Sequence, residues 1–99
     1  MSGQYILEGH TPVPVDDLIS WGRWFQKANR QVAHDRVGDV RVSTVFLGLD
    51  HGYGDGPPVL FETMIFGGPH DQYQERYSTW EEALDGHLKA LALVRKAQP

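Results

Sequence analysis

Three places in this sequence carry polar residues whose types could hold a small ligand or could be structural. The first is Arg41 with Ser43, inside the β-branched run VRVSTVFLGL (residues 40–49). In a strand, positions two apart point to one face, so Arg41 and Ser43 share it with Val45, Leu47 and Leu49. Thr44 falls on the other face with Val42 and Phe46. A guanidinium at the mouth of a pocket is a fork for phosphate or carboxylate oxygens, whereas at a solvated strand end it is only a surface charge. The second is Glu62, inside VLFETMIF (residues 59–66). It shares a face with Leu60, Met64 and Phe66, and the opposite face is apolar too. A carboxylate there must be paired, partly solvated or in a cleft. Neutralised by Arg41 or Arg36 it is structural; otherwise it is an acceptor for a ligand hydroxyl or amine.

A third pair, Asp50-His51, ends the long run just before the glycine-rich loop HGYGDGPP (residues 51–58). Functional groups gather on loops held by a rigid scaffold, and His51 has the chemistry of a base, a phosphate contact or a metal ligand. Asp50 is equally suited to capping the turn backbone. His87 lies on the apolar stripe of the last helix, where a lone histidine is more often a satisfied core residue than a ligand. Trp80 opens that helix. Its default role is core, and its alternative is stacking on a base. The five histidines include no H-E-x-x-H and no i,i+4 pair, and the chain has no cysteine, so no metal site is supported. The spacing G-x-x-x-G-x-G-x-G over residues 48–56 lacks the lysine and following helix of a phosphate-binding loop. No cofactor is implied.

Hydrophobic spacing supplies the elements that must position these groups. A first strand is expected at residues 4–7, followed by Thr11-Pro12-Val13-Pro14 as a stiff, extended lead-in. Asp16 and Asp17 then open a helix over residues 16–29 on the spacing of Leu18, Trp21, Phe25 and Ala28. Strands follow at 32–37, 40–49 and 59–66, with a turn at Val37-Gly38-Asp39-Val40 and a polar edge strand at 72–77. Ser78 with Glu81, and Thr79 with Glu82, both have capping-box spacing. They begin a helix that runs to about Lys96, with Trp80, Ala83, Leu84, His87, Leu91 and Val94 on one face. The order β-α-β-β-β-β-α predicts an α+β fold: an antiparallel sheet of four to five strands with two helices on one face.

At 99 residues the chain fits a single small domain, residues 1–99. A chain of this size buries only roughly 60–65% of its unfolded surface, which favours a homo-oligomer. Its net charge of −4 and lack of a basic run argue against DNA or RNA as partner. No stretch approaches the ~20 apolar residues of a membrane span, and the first residues do not read as a signal peptide. Cytoplasmic residence is expected.

The blocks S-T-V-F-L-G-L-D-H (residues 43–51) and L-F-E-T-M-I-F-G-G (60–68), with the weaker T-W-E-E-A (79–83), resemble a group of small phage- and prophage-encoded proteins. The resemblance spans roughly the last two-thirds of the chain. It implies a phage origin and a host-cell cytoplasmic setting, where small oligomeric proteins include sponges that sequester nucleotide immune signals. A sponge of that kind needs an arginine for phosphate, a carboxylate for ribose hydroxyls and an aromatic ring for the base. Arg41, Ser43, Asp50, His51, Glu62, Trp80 and His87 are the candidates for such a site. The expected function is therefore capture of a nucleotide-derived signal without turnover. The alternatives are a small hydrolase using His51 or His87, and a protein-interaction module.

Overall fold

The computed structural model describes residues 3–98. Four strands form an antiparallel meander in the order β3-β4-β5-β6: β3 is Gln31–Val37, β4 Val40–Phe46, β5 Phe61–Phe66 and β6 Gln74–Tyr77. The fold is α+β. Helix α2 (Trp80–Lys96) lies across all four strands. Its start is fixed by a capping box at Thr79: the Thr79 hydroxyl accepts from the Glu82 amide, and Glu82 Oε1 accepts from the amides of Thr79 and Ser78. Of the two capping frames in the sequence, the chain uses Thr79 with Glu82.

The buried face of α2 carries Ala83, Gly86, His87, Ala90, Leu91 and Val94. They meet Val40, Val42, Thr44 and Phe46 of β4 and Phe61, Thr63 and Ile65 of β5. The core has two parts. Val40, Val42, Ile65, Ala90, Leu91 and Val94 form one, and Phe46, Leu60, Phe61 and Ala83 the other.

A second, two-stranded sheet pairs β1 (Tyr5–Glu8) with β2 (Thr11–Pro14). The lead-in expected at Thr11-Pro12-Val13-Pro14 is thus a strand. The proline rule is kept all the same. Val15 N–H donates to Gln4 O, which puts the odd-numbered amides toward β1 and turns Pro12 and Pro14, which lack N–H, to the outer edge. Helix α1 (Leu18–Lys27) is capped by Asp17, whose carboxylate accepts from Ile19 N–H. It reaches the core through Trp24, which meets the Phe46 ring edge-on, and it packs on β1. The reason lies in Trp21: its indole N–H reaches both Tyr5 O at 3.0 Å and Gly48 O at 3.1 Å, tying α1 to the hairpin. Placing α1 and the hairpin at one end of the sheet makes the molecule long, 49 × 30 × 20 Å.

Strand β4 stops at Phe46, three residues before the expected end. Gly48 takes a φ of 78°, and a Cβ there would press on the Phe25 ring, so the chain turns out of the sheet to meet Gln4 through Leu49.

Candidate functional site

The uncovered face of the four-stranded sheet is where most of the unpaired chemistry lies. Alternation buries Val42, Thr44, Thr63 and Ile65 under α2 and turns Arg41, Ser43, Val45, Glu62, Met64 and Phe66 the other way. Strand register then sets side chains in rows across that face. Arg36, Arg41 and Phe66 make one row; His34, Ser43, Met64 and Gln74 the next; Val45, Glu62 and Arg76 the third.

The first row holds a like-charge pair. Val37 and Val40 close a two-residue turn, so Arg36 and Arg41 occupy the next pairing site. In a two-residue hairpin that site is the narrow one, with Cα atoms about 4.5 Å apart. Among the described residues neither arginine makes an ion pair. The Arg41 guanidinium lies 4.8 Å from the Phe66 ring centroid, which holds one of its faces and leaves its edge N–H donors free. Among the described residues the adjacent side chains of His34 and Ser43 have no hydrogen-bond partner either. Two guanidiniums, an imidazole and a hydroxyl at neighbouring positions are a ready oxyanion site.

Glu62 closes the far end. Its Oε2 accepts from Gln74 Nε2 at 2.6 Å and from Arg76 Nε at 2.9 Å, so its ion-pair partner is Arg76 and neither Arg41 nor Arg36. The carboxylate is largely shielded, at 14% exposure, and among the described residues no donor reaches Oε1.

The other expected residues lie elsewhere. Asp50 Oδ1 accepts from Gly52 N–H at 2.8 Å and Val59 N–H at 2.9 Å, closing the glycine-rich loop at its base. These two bonds, the Val59 one foremost, hold the carboxyl below the usual aspartate value. Asp50 therefore acts as the turn cap that its residue type allows. His51 is exposed on the same loop, and its amide bonds Val59 O. Trp80 stacks flat on His10 at 3.8 Å and meets Phe61 edge-on, away from the open face.

His87 is 2% exposed and joins a polar chain through the core. Its Nε2 lies 2.8 Å from Asp35 Oδ2 and its Nδ1 2.7 Å from Thr44 Oγ1, which is 2.5 Å from Thr63 Oγ1. The tautomer with hydrogen on Nε2 satisfies the chain throughout: Nε2–H donates to Asp35, Nδ1 accepts from Thr44, and Thr44 accepts from Thr63. Acid, imidazole and hydroxyl stand in the order of a nucleophilic triad, yet Thr44 is 0% exposed and no substrate carbonyl or phosphorus can reach it. This chain fills the seam between the two core clusters, as expected of a satisfied core histidine.

An open groove of about 550 Å³ runs between β6 and α2, lined by Tyr73, Glu75, Tyr77, Asp85, Gly86 and Lys89 among others. It contains none of the candidate residues. Asp85 there is paired with Lys89 at 3.0 Å, while Glu75 and the Tyr77 hydroxyl have no ion-pair or hydrogen-bond partner among the described residues.

Sequence alternation groups Arg41 with Ser43 and gives Glu62 a face of its own strand; the β4–β5 register puts all three on one side of the sheet. Alternation does not single out Arg36 and His34. Their signal was the two-residue turn at Gly38-Asp39, which sets Arg36 opposite Arg41 and His34 opposite Ser43. Comparison with protein-family models, curated proteins and solved structures finds no match to the chain.

Proposed function

We propose that this protein binds a nucleotide-derived anionic signal on the open face of its four-stranded sheet and holds it without turnover. One observation carries the reading: Arg41, Ser43 and Glu62, with Arg36 and His34, converge on the sheet face opposite α2. A cation-rich patch on a chain of net charge −4 selects for anions by local field rather than by overall charge. Partly buried Met64 and Phe66 lie beside the cations and offer an apolar bed for a base. Capture without turnover is supported by the burial of Thr44, which withholds the Asp35–His87–Thr44 chain from substrate. Together with the resemblance to phage-encoded proteins, this favours a sponge that lowers the free concentration of a host signal.

The test is to incubate the purified protein with AMP, ADP-ribose and cyclic dinucleotides, remove it by filtration, release bound material by heat and chromatograph both fractions. The expected result is one compound depleted from the filtrate and recovered unchanged. Recovery as a converted product would make the protein an enzyme. If every compound stays in the filtrate, the reading fails and a protein partner takes its place.

A further inference from the structure

The open face has two chemically different ends, and we infer that it reads its ligand from both: a terminal phosphoryl group at Arg36 and Arg41, and an amino or hydroxyl donor at Glu62. This rests on the binding reading above and narrows the ligand to a nucleotide with a terminal phosphate and an amino or hydroxyl donor at its other end. At the hairpin end, every polar side chain in the two neighbouring rows of β3 and β4 is a donor or a cation: Arg36, Arg41, His34 and Ser43. No carboxylate stands at those positions. At the other end, Arg76 is already neutralised by Glu62, and the group left over is the acceptor Oε1. A second phosphate there would meet a carboxylate rather than a free cation.

Spacing separates long ligands from short ones. Glu62 lies four residues from Phe66 along β5, and Phe66 is opposite Arg41. Four residues of strand span about 13 Å, so with both side chains leaning inward the two ends are on the order of 10 Å apart. Inorganic phosphate or pyrophosphate satisfies one end only. A nucleoside monophosphate bridges both, with its base over Met64, whose thioether suits an aromatic face. Ser43, directly opposite Met64, is short and leaves that bed open.

Calorimetry with four probes tests this: inorganic phosphate, ribose 5-phosphate, AMP and purine riboside 5′-monophosphate, which lacks the 6-amino group. AMP should bind at least tenfold tighter than inorganic phosphate, and purine riboside 5′-monophosphate should lose most of that advantage. In Glu62→Gln the amide oxygen stays with Arg76 and Gln74 and turns an NH₂ toward the ligand. AMP should then weaken about tenfold while inorganic phosphate is unchanged. Arg36→Gln should weaken both alike. If AMP and phosphate bind equally, or if AMP is indifferent to both Glu62→Gln and loss of its amino group, the two-ended reading is wrong while phosphate capture stands. If no probe binds, the binding reading falls with it. Purine riboside 5′-monophosphate on the unaltered protein keeps the test decisive even where Glu62→Gln fails to fold.

Discussion

Thr44 and Thr63 face each other across β4 and β5 with their hydroxyl oxygens 2.5 Å apart, and only Thr44 passes that contact on to His87. The two threonines therefore differ in what their loss exposes. Thr44→Val strands both the Thr63 hydroxyl and His87 Nδ1 in a dry core, at a cost of about 1–3 kcal/mol for each unsatisfied group. Thr63→Val removes a single neutral hydrogen bond, worth about 1 kcal/mol. Urea denaturation should rank Thr44→Val as clearly the less stable. The double variant should be no worse than Thr44→Val alone, because Thr63 has already lost its partner there. Equal losses in the two single variants would mean that His87 does not depend on Thr44.

Tyr77 and Gly86 make a second pair of opposite sign. Among the described residues the buried Tyr77 hydroxyl has no hydrogen-bond partner, and a Cβ at position 86 would collide with it. Burial pushes the phenol above its ordinary value. Thr63 is near enough to pull the other way, although its geometry forms no proper bond with the hydroxyl. A folded value raised above the unfolded one stabilises the fold fully below about pH 10, and that stability is lost as pH climbs further. Tyr77→Phe should thus match or exceed the parent's stability at neutral pH and flatten its alkaline decline. A loss above about 1 kcal/mol would show that Thr63 satisfies the hydroxyl after all. Gly86→Ala gains about 1 kcal/mol of helix propensity, yet it should destabilise the protein because the collision outweighs that gain.

Asp50 gives a local acid switch. Its folded value lies below the ordinary one because the Val59 and Gly52 amides bind the carboxylate. The stabilisation is present above the unfolded aspartate range and is lost as pH falls through the folded value. Amide exchange at Gly52 and Val59, corrected for its intrinsic pH dependence, should lose protection together on acidification. Asp50→Asn should lower that protection at neutral pH and remove its acid dependence. The sheet amides of β4 and β5 should not follow. If they do, the loop and the sheet open as one unit.

Alternation made the core legible. The polar–apolar pattern of residues 40–46 and 61–66 assigned Thr44, Arg41, Ser43 and Glu62 to their faces, and the capping spacing at Thr79 located α2. What escaped depended on pairing rather than on pattern. Pro12 and Pro14 hid β2, because a proline signals against a strand until one knows which edge its missing N–H would face. The position of α1 depends on Trp21 reaching carbonyls 16 and 27 residues away, a contact no local window contains. For the site, Glu62 was legible as an anomaly, but its choice of Arg76 over Arg41 follows from β5–β6 register. His34 and Arg36 lay in a run without useful spacing of its own and gained meaning only from the strand opposite.

The like-charge pair in the first row also predicts a conflict between stability and binding. Opposed like charges across a narrow strand pair weaken a sheet, and opposed unlike charges strengthen it by roughly 0.2–1 kcal/mol. Arg36→Glu would turn the Arg36–Arg41 repulsion into an attraction. Both side chains are exposed, so solvent reduces the gain, to about 0.5 kcal/mol. In a protein of this size that raises the melting temperature by about 2–4 °C. The gain should shrink as salt rises from low to physiological ionic strength, because screening acts on both arrangements. The same substitution places a carboxylate in the oxyanion site and should abolish binding of inorganic phosphate and AMP alike. A variant that is more stable yet no longer binds is the signature of a position kept for its ligand. If Arg36→Glu instead lowers the melting temperature, the Arg36–Arg41 pair does not strain the fold, and if the variant still binds inorganic phosphate, that pair carries no ligand.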